Sequence, residues 1–290
     1  MNHSREYSFE LPTRIEFGVG VIETLAELVV GLGGRRVLLV SDPGLVAAGV
    51  VGRVSAILTA ADLDVITFTE VEPEPEAEGV MAGARLCKDE DRQVVVGVGG
   101  GSALDTAKSI ALMACNTGHI RDFTGLDVPS EPGLPVIAVP TTAGTGSECA
   151  VWSVISEKAQ NVKYGIGGRN MTATVALCDP ALSVSLPARL TIGTGLDALA
   201  HGLESYVNKA TQPISEALSE KSMELIARSL RTPSTTARTS ARVRTCSSRR
   251  PWRPALSHRP AWAWPTPWPC PWAPRPRFRT ETSSLSSCPR

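Results

Sequence analysis

Disulfide and zinc chemistry are the first things this sequence does without. None of its seven cysteines, Cys87, Cys115, Cys149, Cys178, Cys246, Cys270 and Cys288, falls in a CxxC pair, and an odd number cannot pair completely. That argues against a zinc ribbon and a disulfide framework and leaves reduced thiols that mostly pack. Histidine is scarce as well, with only His258 following His201. No apolar run reaches the ~18 residues of a membrane span. The N-terminal MNHSREYSFELP has no apolar signal core, so a soluble cytoplasmic protein is expected.

The residues that are present divide into two kinds of sequence. Residues 1–231 carry 18 Lys and Arg against 28 Asp and Glu, whereas residues 232–290 carry 11 Arg, no Lys, and Glu281 as the one acid. The same tail holds five of the six Trp and 11 of the 22 Pro. A net charge of zero conceals this asymmetry. At 290 residues with 42% apolar content the chain can bury a core and has the length for two domains. The expected organisation is an α/β domain over 1–182, the start of a helical domain over 183–231, and a tail over 232–290 whose Pro and Arg density cannot bury enough surface to offset ordering entropy.

The α/β domain is organised around residues 94–111. Val94, Val95, Val96 and Val98 fit a strand covered on both faces, and the run stops at Gly99, Gly100 and Gly101. Ala103, Leu104, Ala107 and Ile110 then take up helical spacing, with Ser102 in place to cap the helix. Glycines permit positive φ and let a ligand come up against bare backbone. A strand, a bare turn and a helix N-terminus together favour a pyrophosphate, which the free N–H groups and the positive end of the helix dipole attract. A glycine run by itself reads equally well as a tight turn.

The flanking segments repeat the theme. Residues 9–30 read as a strand leading into a helix, with Gly18 and Gly20 at the turn, and Val37–Val40 is a strand ending at Ser41 and Asp42, with Pro43-Gly44 as turn punctuation. Asp42 is placed either to cap the next helix or to bind the hydroxyls of an adenosine ribose and repel a 2′-phosphate. A helix over 50–61, a strand over 65–69, a solvated acidic connection in VEPEPEAEG and a helix over 78–87 complete the approach to the glycine turn. Beyond it Val136–Val139 is another buried strand, and Thr141, Thr142, Gly144, Thr145, Gly146 and Ser147 form a loop of hydroxyls and bare backbone against which a flat ring or a phosphate could lie. Val175–Leu177 is the last strand. This alternation predicts an open, mostly parallel α/β sheet with ligands beyond the carboxyl ends of its strands.

The strings GGGSALDTAK (99–108) and TTAGTGSE (141–148) resemble the iron-containing alcohol dehydrogenases, with glycerol dehydrogenases and dehydroquinate synthases as relatives. The second string differs in dehydroquinate synthases and favours the alcohol dehydrogenase branch. The resemblance implies a Rossmann-like domain that binds NAD through Gly99, Gly100, Gly101, Ser102, Asp105, Thr141, Thr142, Thr145 and Ser147. It also implies that Asp42 sets a preference for NAD and that Lys163, in VKYGIGG, lies near the nucleotide.

The helical domain opens with TIGTGLDALAHGLESYV (191–207), in which Leu196, Leu199, Leu203, Tyr206 and Val207 form a packing stripe. Asp197 and His201 are four apart and stand one above the other on one helix face, as a hydrogen-bonded surface pair or as two ligands of one cation. The string resembles the family signature DALxHxxExY, which implies a metal, Fe2+ with Zn2+ as the alternative, and chemistry that rests on the metal rather than on a side-chain nucleophile. Family members complete that site with two later histidines. His258, between Ser257 and Arg259, matches no family motif. A last amphipathic helix covers 214–230.

Past Thr232 the composition is that of GC-rich coding DNA translated out of register. Tryptophan has one codon, so joining the last base of each codon to the first two of the next forces glycine at Trp262-Ala263 and Trp272-Ala273 and alanine at Trp264-Pro265 and Trp268-Pro269. The recovered order resembles the family's GLxHAxAxPLG metal helix. The expected function is therefore an oxidoreductase interconverting a small alcohol and its aldehyde or ketone with NAD and a divalent metal, in a chain whose own tail leaves it inactive. A glycerol dehydrogenase-like or dehydroquinate synthase-like enzyme is the alternative. Nucleic-acid binding by the basic tail is a third reading, weakened by the tail's lack of a fold signature. The partners expected are a small alcohol or aldehyde and a second copy of the chain, not a membrane.

Overall fold

The computed structural model describes residues 7, 9–128 and 131–230, so the tail and His258 lie outside the described residues. In chain order the elements are β1 (Arg14–Phe17), α1 (Leu25–Gly31), β2 (Arg36–Val40), α2 (Pro43–Ala47), α3 (Val50–Thr59), β3 (Asp64–Phe68), α4 (Ala77–Asp89), β4 (Val94–Gly99) and α5 (Gly101–Cys115). They continue with β5 (Gly125–Leu126), β6 (Val136–Pro140), β7 (Trp152–Glu157), β8 (Val162–Gly167), β9 (Val175–Cys178), α6 (Ala188–Val207) and α7 (Pro213–Ser229).

Six strands form a parallel sheet in the order β1-β9-β6-β4-β2-β3. Period-two side-chain alternation sends each strand's residues to two cores. Leu38, Val40, Val95, Val136 and Ala138 meet the buried faces of α4 and α5, while Val37, Leu39, Val94, Val96, Val98, Ile137 and Val139 meet α1 and α3. This is why the strands read as unbroken apolar runs, and each fully buried Val or Leu stabilises the fold by about 1.5–3 kcal/mol. Gly97 faces α5, where a Cβ would stand 2.7 Å from the Cβ of Ala107, so this glycine sets how closely α5 lies on the sheet.

From β2 the chain runs outward to β3 and then returns to β4 on the other side of β2. That reversal leaves a crevice between β2 and β4 at their carboxyl ends, the place where open α/β sheets bind ligands.

Two expectations are corrected, at Pro43-Gly44 and along α6, and two further features add to them. Pro43-Gly44 is not a turn but the first turn of α2, with Asp42 as its N-cap and Pro43 at N1. The segment after the hydroxyl loop holds a hairpin, β7 antiparallel to β8, within a second sheet of order β5-β8-β7. The acidic connection is solvated as expected, with the side chains of Glu72 and Glu74 more than half exposed, and it is also clasped, Lys158 pairing with Glu72 and Glu76, and Lys163 with Glu74. Along α6 the stripe does not pack among the described residues: Leu196, Leu203, Tyr206 and Val207 are exposed, and the buried positions are Gly202 and Ser205. There α7 comes close, and a Cβ on Gly202 would lie 3.0 Å from Met223 Cγ.

No helix among the described residues is long and apolar enough to cross a membrane. The four cysteines described are free, with Cys87, Cys149 and Cys178 buried and Cys115 exposed.

Candidate active site

At the crevice the ends of β2, β4 and β6 are held in register by short polar contacts. Ser41, buried, donates its hydroxyl to Val98 O at 2.8 Å, and Thr141 N donates to Gly99 O at 2.9 Å. Gly99 has φ +155°, and a Cβ there would lie 2.5 Å from Ala103 Cβ and 3.5 Å from Asp42 Oδ2. A side chain at Gly99 is thus excluded by both conformation and space. Asp42 serves the capping role, with Oδ1 accepting from Leu45 N at 3.0 Å, while Oδ2 is directed at the glycine turn. Both readings of Asp42 are therefore compatible with one rotamer.

Ser102 is not the cap of α5. That position belongs to Gly100, no side chain caps the helix, and Ser102 Oγ donates to Pro73 O at 2.6 Å. The first-turn N–H groups of a 15-residue helix are left without a side-chain acceptor beside bare backbone. An anion such as a pyrophosphate fits that donor set.

The hydroxyl loop lies directly against the glycine turn. A Cβ on Gly100 would be 3.4 Å from Thr142 Cγ2, and one on Gly101 would be 2.9 Å from Thr145 Cγ2. Thr141 is buried, and Thr142 and Thr145 line the contact between the two loops. Ser147 and Asp105 turn toward each other: Ser147 Oγ donates to Asp105 Oδ1, and Val154 N donates to Asp105 Oδ2 at 3.0 Å. Their polar atoms join the loop to α5 rather than standing open to a ligand.

Sequence reasoning missed Lys108. Its side chain is 1% exposed, and Nζ donates to Trp152 O at 2.6 Å, Ser147 O at 3.0 Å and Ala150 O at 3.4 Å, with Asp105 Oδ1 at 3.2 Å. Buried lysines are rare unless paired, and nothing in the string GGGSALDTAK distinguishes this one from a solvated charge. Removing one partner of such a pair leaves a buried charge uncompensated, at a cost of about 3–5 kcal/mol. Next to it Glu148 is buried, and desolvation raises its pKa against smaller opposing effects of its own backbone N–H and of Lys108.

Lys163 sits on β8 with its ammonium 3.1 Å from Glu74 Oε1 and more than half exposed. It is therefore at the rim, joined to the same acidic segment that Ser102 holds at Pro73.

The hydroxyl loop also seats α6. A Cβ on Gly144 would be 2.4 Å from Thr194 O, and Asp197 follows Thr194 by three residues, about 4.5 Å along the axis. On the same helix Asp197 Oδ1 and His201 Nε2 are 3.7 Å apart, with side chains 45% and 21% exposed, and His201 Nδ1 is buried without a partner. A carboxylate and an imidazole at this separation suit two positions around one divalent iron or zinc. Among the described residues no group of three or more His, Cys, Asp or Glu could hold a metal, so the fit is that of a partial donor set.

The family model for iron-containing alcohol dehydrogenase matches residues 12–180, and the model for the C-terminal region of the Fe-containing alcohol dehydrogenase family matches residues 191–245. The chain belongs to the iron-containing alcohol dehydrogenase family. Alcohol dehydrogenase 4 of Saccharomyces cerevisiae is 40% identical over 222 residues, which are 77% of this chain and 58% of the yeast protein. Among solved structures, a 1,3-propanediol oxidoreductase superposes with a TM-score of 0.78 at 34% identity, covering 81% of this chain and 61% of that one. The sulfoacetaldehyde reductase of Bifidobacterium kashiwanohense, solved in complex with NAD+, gives a TM-score of 0.76 at 29% identity, covering 83% and 64%. The chain thus spans about three fifths of the length of the relatives it matches.

Proposed function

We propose that residues 1–182 are the NAD-binding domain, and residues 183–231 the opening of the metal-binding domain, of an enzyme that interconverts a small alcohol and its aldehyde or ketone. The observation that supports this reading is the contact of α6 with the hydroxyl loop at Gly144 and Thr194, three residues before Asp197 on the helix that also carries His201, while the same loop touches the glycine turn. That contact supports a single crevice for the cofactor and metal residues.

Each group has a task. The uncapped first turn of α5 neutralises the pyrophosphate, and the absence of side chains at Gly99, Gly100 and Gly101 admits it to the backbone. Asp42 binds the adenosine ribose and disfavours a 2′-phosphate. Thr141, Thr142 and Thr145 offer hydroxyls to the nicotinamide end, with Asp105 and Ser147 holding the loop that carries them. Lys163 supplies positive charge at the rim. Bound in this crevice, NAD supplies a hydride acceptor and a divalent iron, or zinc, supplies the Lewis acidity that lowers the pKa of an alcohol. Asp197 and His201 hold two positions for that ion and polarise no bond themselves. The free thiols support a reducing, cytoplasmic compartment.

Titration of the 290-residue chain with NADH, followed by nicotinamide fluorescence, tests the reading. Saturable enhancement displaced by NAD+ and only weakly by NADPH is expected; the absence of any saturable signal refutes a nucleotide site.

A further inference from the structure

The contacts between α5 and the hydroxyl loop follow a single line along the helix. Gly101, Asp105 and Lys108 are four and three residues apart and share one face. Gly101 touches Thr145, Asp105 holds Ser147 and Val154, and Lys108 holds Ser147, Ala150 and Trp152. The loop from Thr145 to Trp152 is therefore laid along α5, one contact per turn over about 10 Å. At the far end the three protons of the Lys108 ammonium are distributed over three carbonyl oxygens and one carboxylate oxygen, with no solvent exposure to release them.

We propose that Lys108 is a positioning residue for the nicotinamide half of the cofactor site. Resting on the nucleotide-binding reading above, the assignment concerns how that site is held in shape. Lys108 touches neither the glycine turn nor Asp42. It fixes the downstream end of the hydroxyl loop to the helix whose N-terminus faces the pyrophosphate, and so sets the separation between the surface that takes the phosphates and the surface that takes the ring. Carbonyl oxygens of Ser147, Ala150 and Trp152 face one another across this point, and without a buried cation their mutual repulsion opens the loop. The adenosine half, built by β2, Asp42 and the turn, has an anchor of its own through Ser41 and Val98, and meets the loop only at the loop's upstream end, Thr141 to Thr145.

This division gives a measurement that a general loss of structure does not reproduce. ADP engages the turn and Asp42 alone, whereas NADH engages both halves. In the full chain, Lys108→Met and the neutral pair Asp105→Asn/Lys108→Met are compared with wild type by isothermal titration with ADP and with NADH, alongside far-UV circular dichroism. The second variant removes the stranded carboxylate that Lys108→Met alone leaves behind, and it decides the matter if the first does not fold. The expected result is ADP affinity within twofold of wild type and NADH affinity reduced tenfold or more. Unchanged NADH affinity overturns the assignment, as do equal losses for both ligands or failure of the neutral pair to fold, since these make Lys108 a determinant of the whole domain. A wild-type chain that binds neither ligand refutes the nucleotide reading and takes this proposal with it, whereas failure confined to the variants leaves that reading standing.

Discussion

Replacing Asp42 by glycine separates the two tasks of this side chain. As N-cap of α2 it accepts from Leu45 N at 3.0 Å, and glycine at an N-cap costs only a few tenths of a kcal/mol relative to aspartate. A domain of this size shifts its Tm by about 2–4 °C per kcal/mol, so the melting temperature should fall by about 1 °C. The effect on cofactor choice should be much larger. A carboxylate bonded to ribose hydroxyls contributes about 1.5–3 kcal/mol, which is a factor of about 10–150 in affinity. Removing the charge also lifts repulsion from a 2′-phosphate, so NADPH binding improves as NADH binding weakens. Competition between NADH and NADPH, read by nicotinamide fluorescence, should show the preference narrowed by on the order of 1–3 kcal/mol. Asp42→Asn retains a capping oxygen but not the charge, and should recover NADPH binding while keeping part of the NADH affinity. Equal affinity of the wild type for both cofactors, or an unchanged ratio in Asp42→Gly, would refute the role given to Asp42.

Four further outcomes are expected. After loading with Fe2+ or Zn2+ and dialysis, the chain should retain well under one equivalent and show no alcohol oxidation, because Asp197 and His201 leave most of the coordination sphere to water; stoichiometric metal together with turnover contradicts this. Gly99→Ala forces a Cβ to 2.5 Å from Ala103 and should lower stability by about 1–3 kcal/mol in urea denaturation and abolish NADH binding, whereas wild-type behaviour would mean that the turn relaxes freely. Burial pushes the Cys87 thiol up to about 11 and the Cys178 thiol up to about 12, so the folded state holds these protons more tightly than the unfolded chain; stability should be constant below the ordinary thiol range and fall as the pH rises from there toward about 12, with a smaller loss in Cys87→Ser, which leaves the contribution of Cys178. Restoring the reading frame near codon 232 should recover tight metal binding and NAD-dependent alcohol oxidation together, and a repaired chain without metal defeats the frame explanation.

The parts of the molecule that were legible in the sequence are those where a single local rule applies. The β-branched run of β4, its stop at Gly99 and the small-residue loop after β6 could be read because strand burial and glycine geometry leave unambiguous patterns. The start of α2 was legible in part: the capping reading of Asp42 holds, but Pro43 at N1 was taken with Gly44 as turn punctuation because Pro-Gly carries an equally strong turn signal. The β7–β8 hairpin was missed because its turn contains neither glycine nor proline; Asn161 supplies the left-handed residue at φ +51°. Lys108 and the Glu72–Glu76 clasp were beyond reach for another reason, since both depend on partners 39–89 positions away that only the fold brings near. The stripe on α6 shows the converse: its periodicity is real, but among the described residues the buried positions of α6 are the small Gly202 and Ser205, and Tyr206 meets α7 through its hydroxyl at Glu220.

The order of strands in the main sheet has a consequence for how the protein is made. β1 is the first strand synthesised among the described residues, yet its one neighbour among them is β9, with Arg14 opposite Val175 and Phe17 opposite Cys178. A nascent chain grows at about 5–20 residues per second, so β1 waits on the order of ten to thirty seconds outside the ribosome before its partner emerges. During that interval β2, β3, β4 and β6 can assemble outward from the crevice, while the edge of β6 stays open until β9 arrives and β1 closes over it. Interrupting synthesis between residues 140 and 175 should therefore yield a chain with a loose N-terminus and an unpaired edge, the state most open to aggregation and to proteolysis ahead of α1.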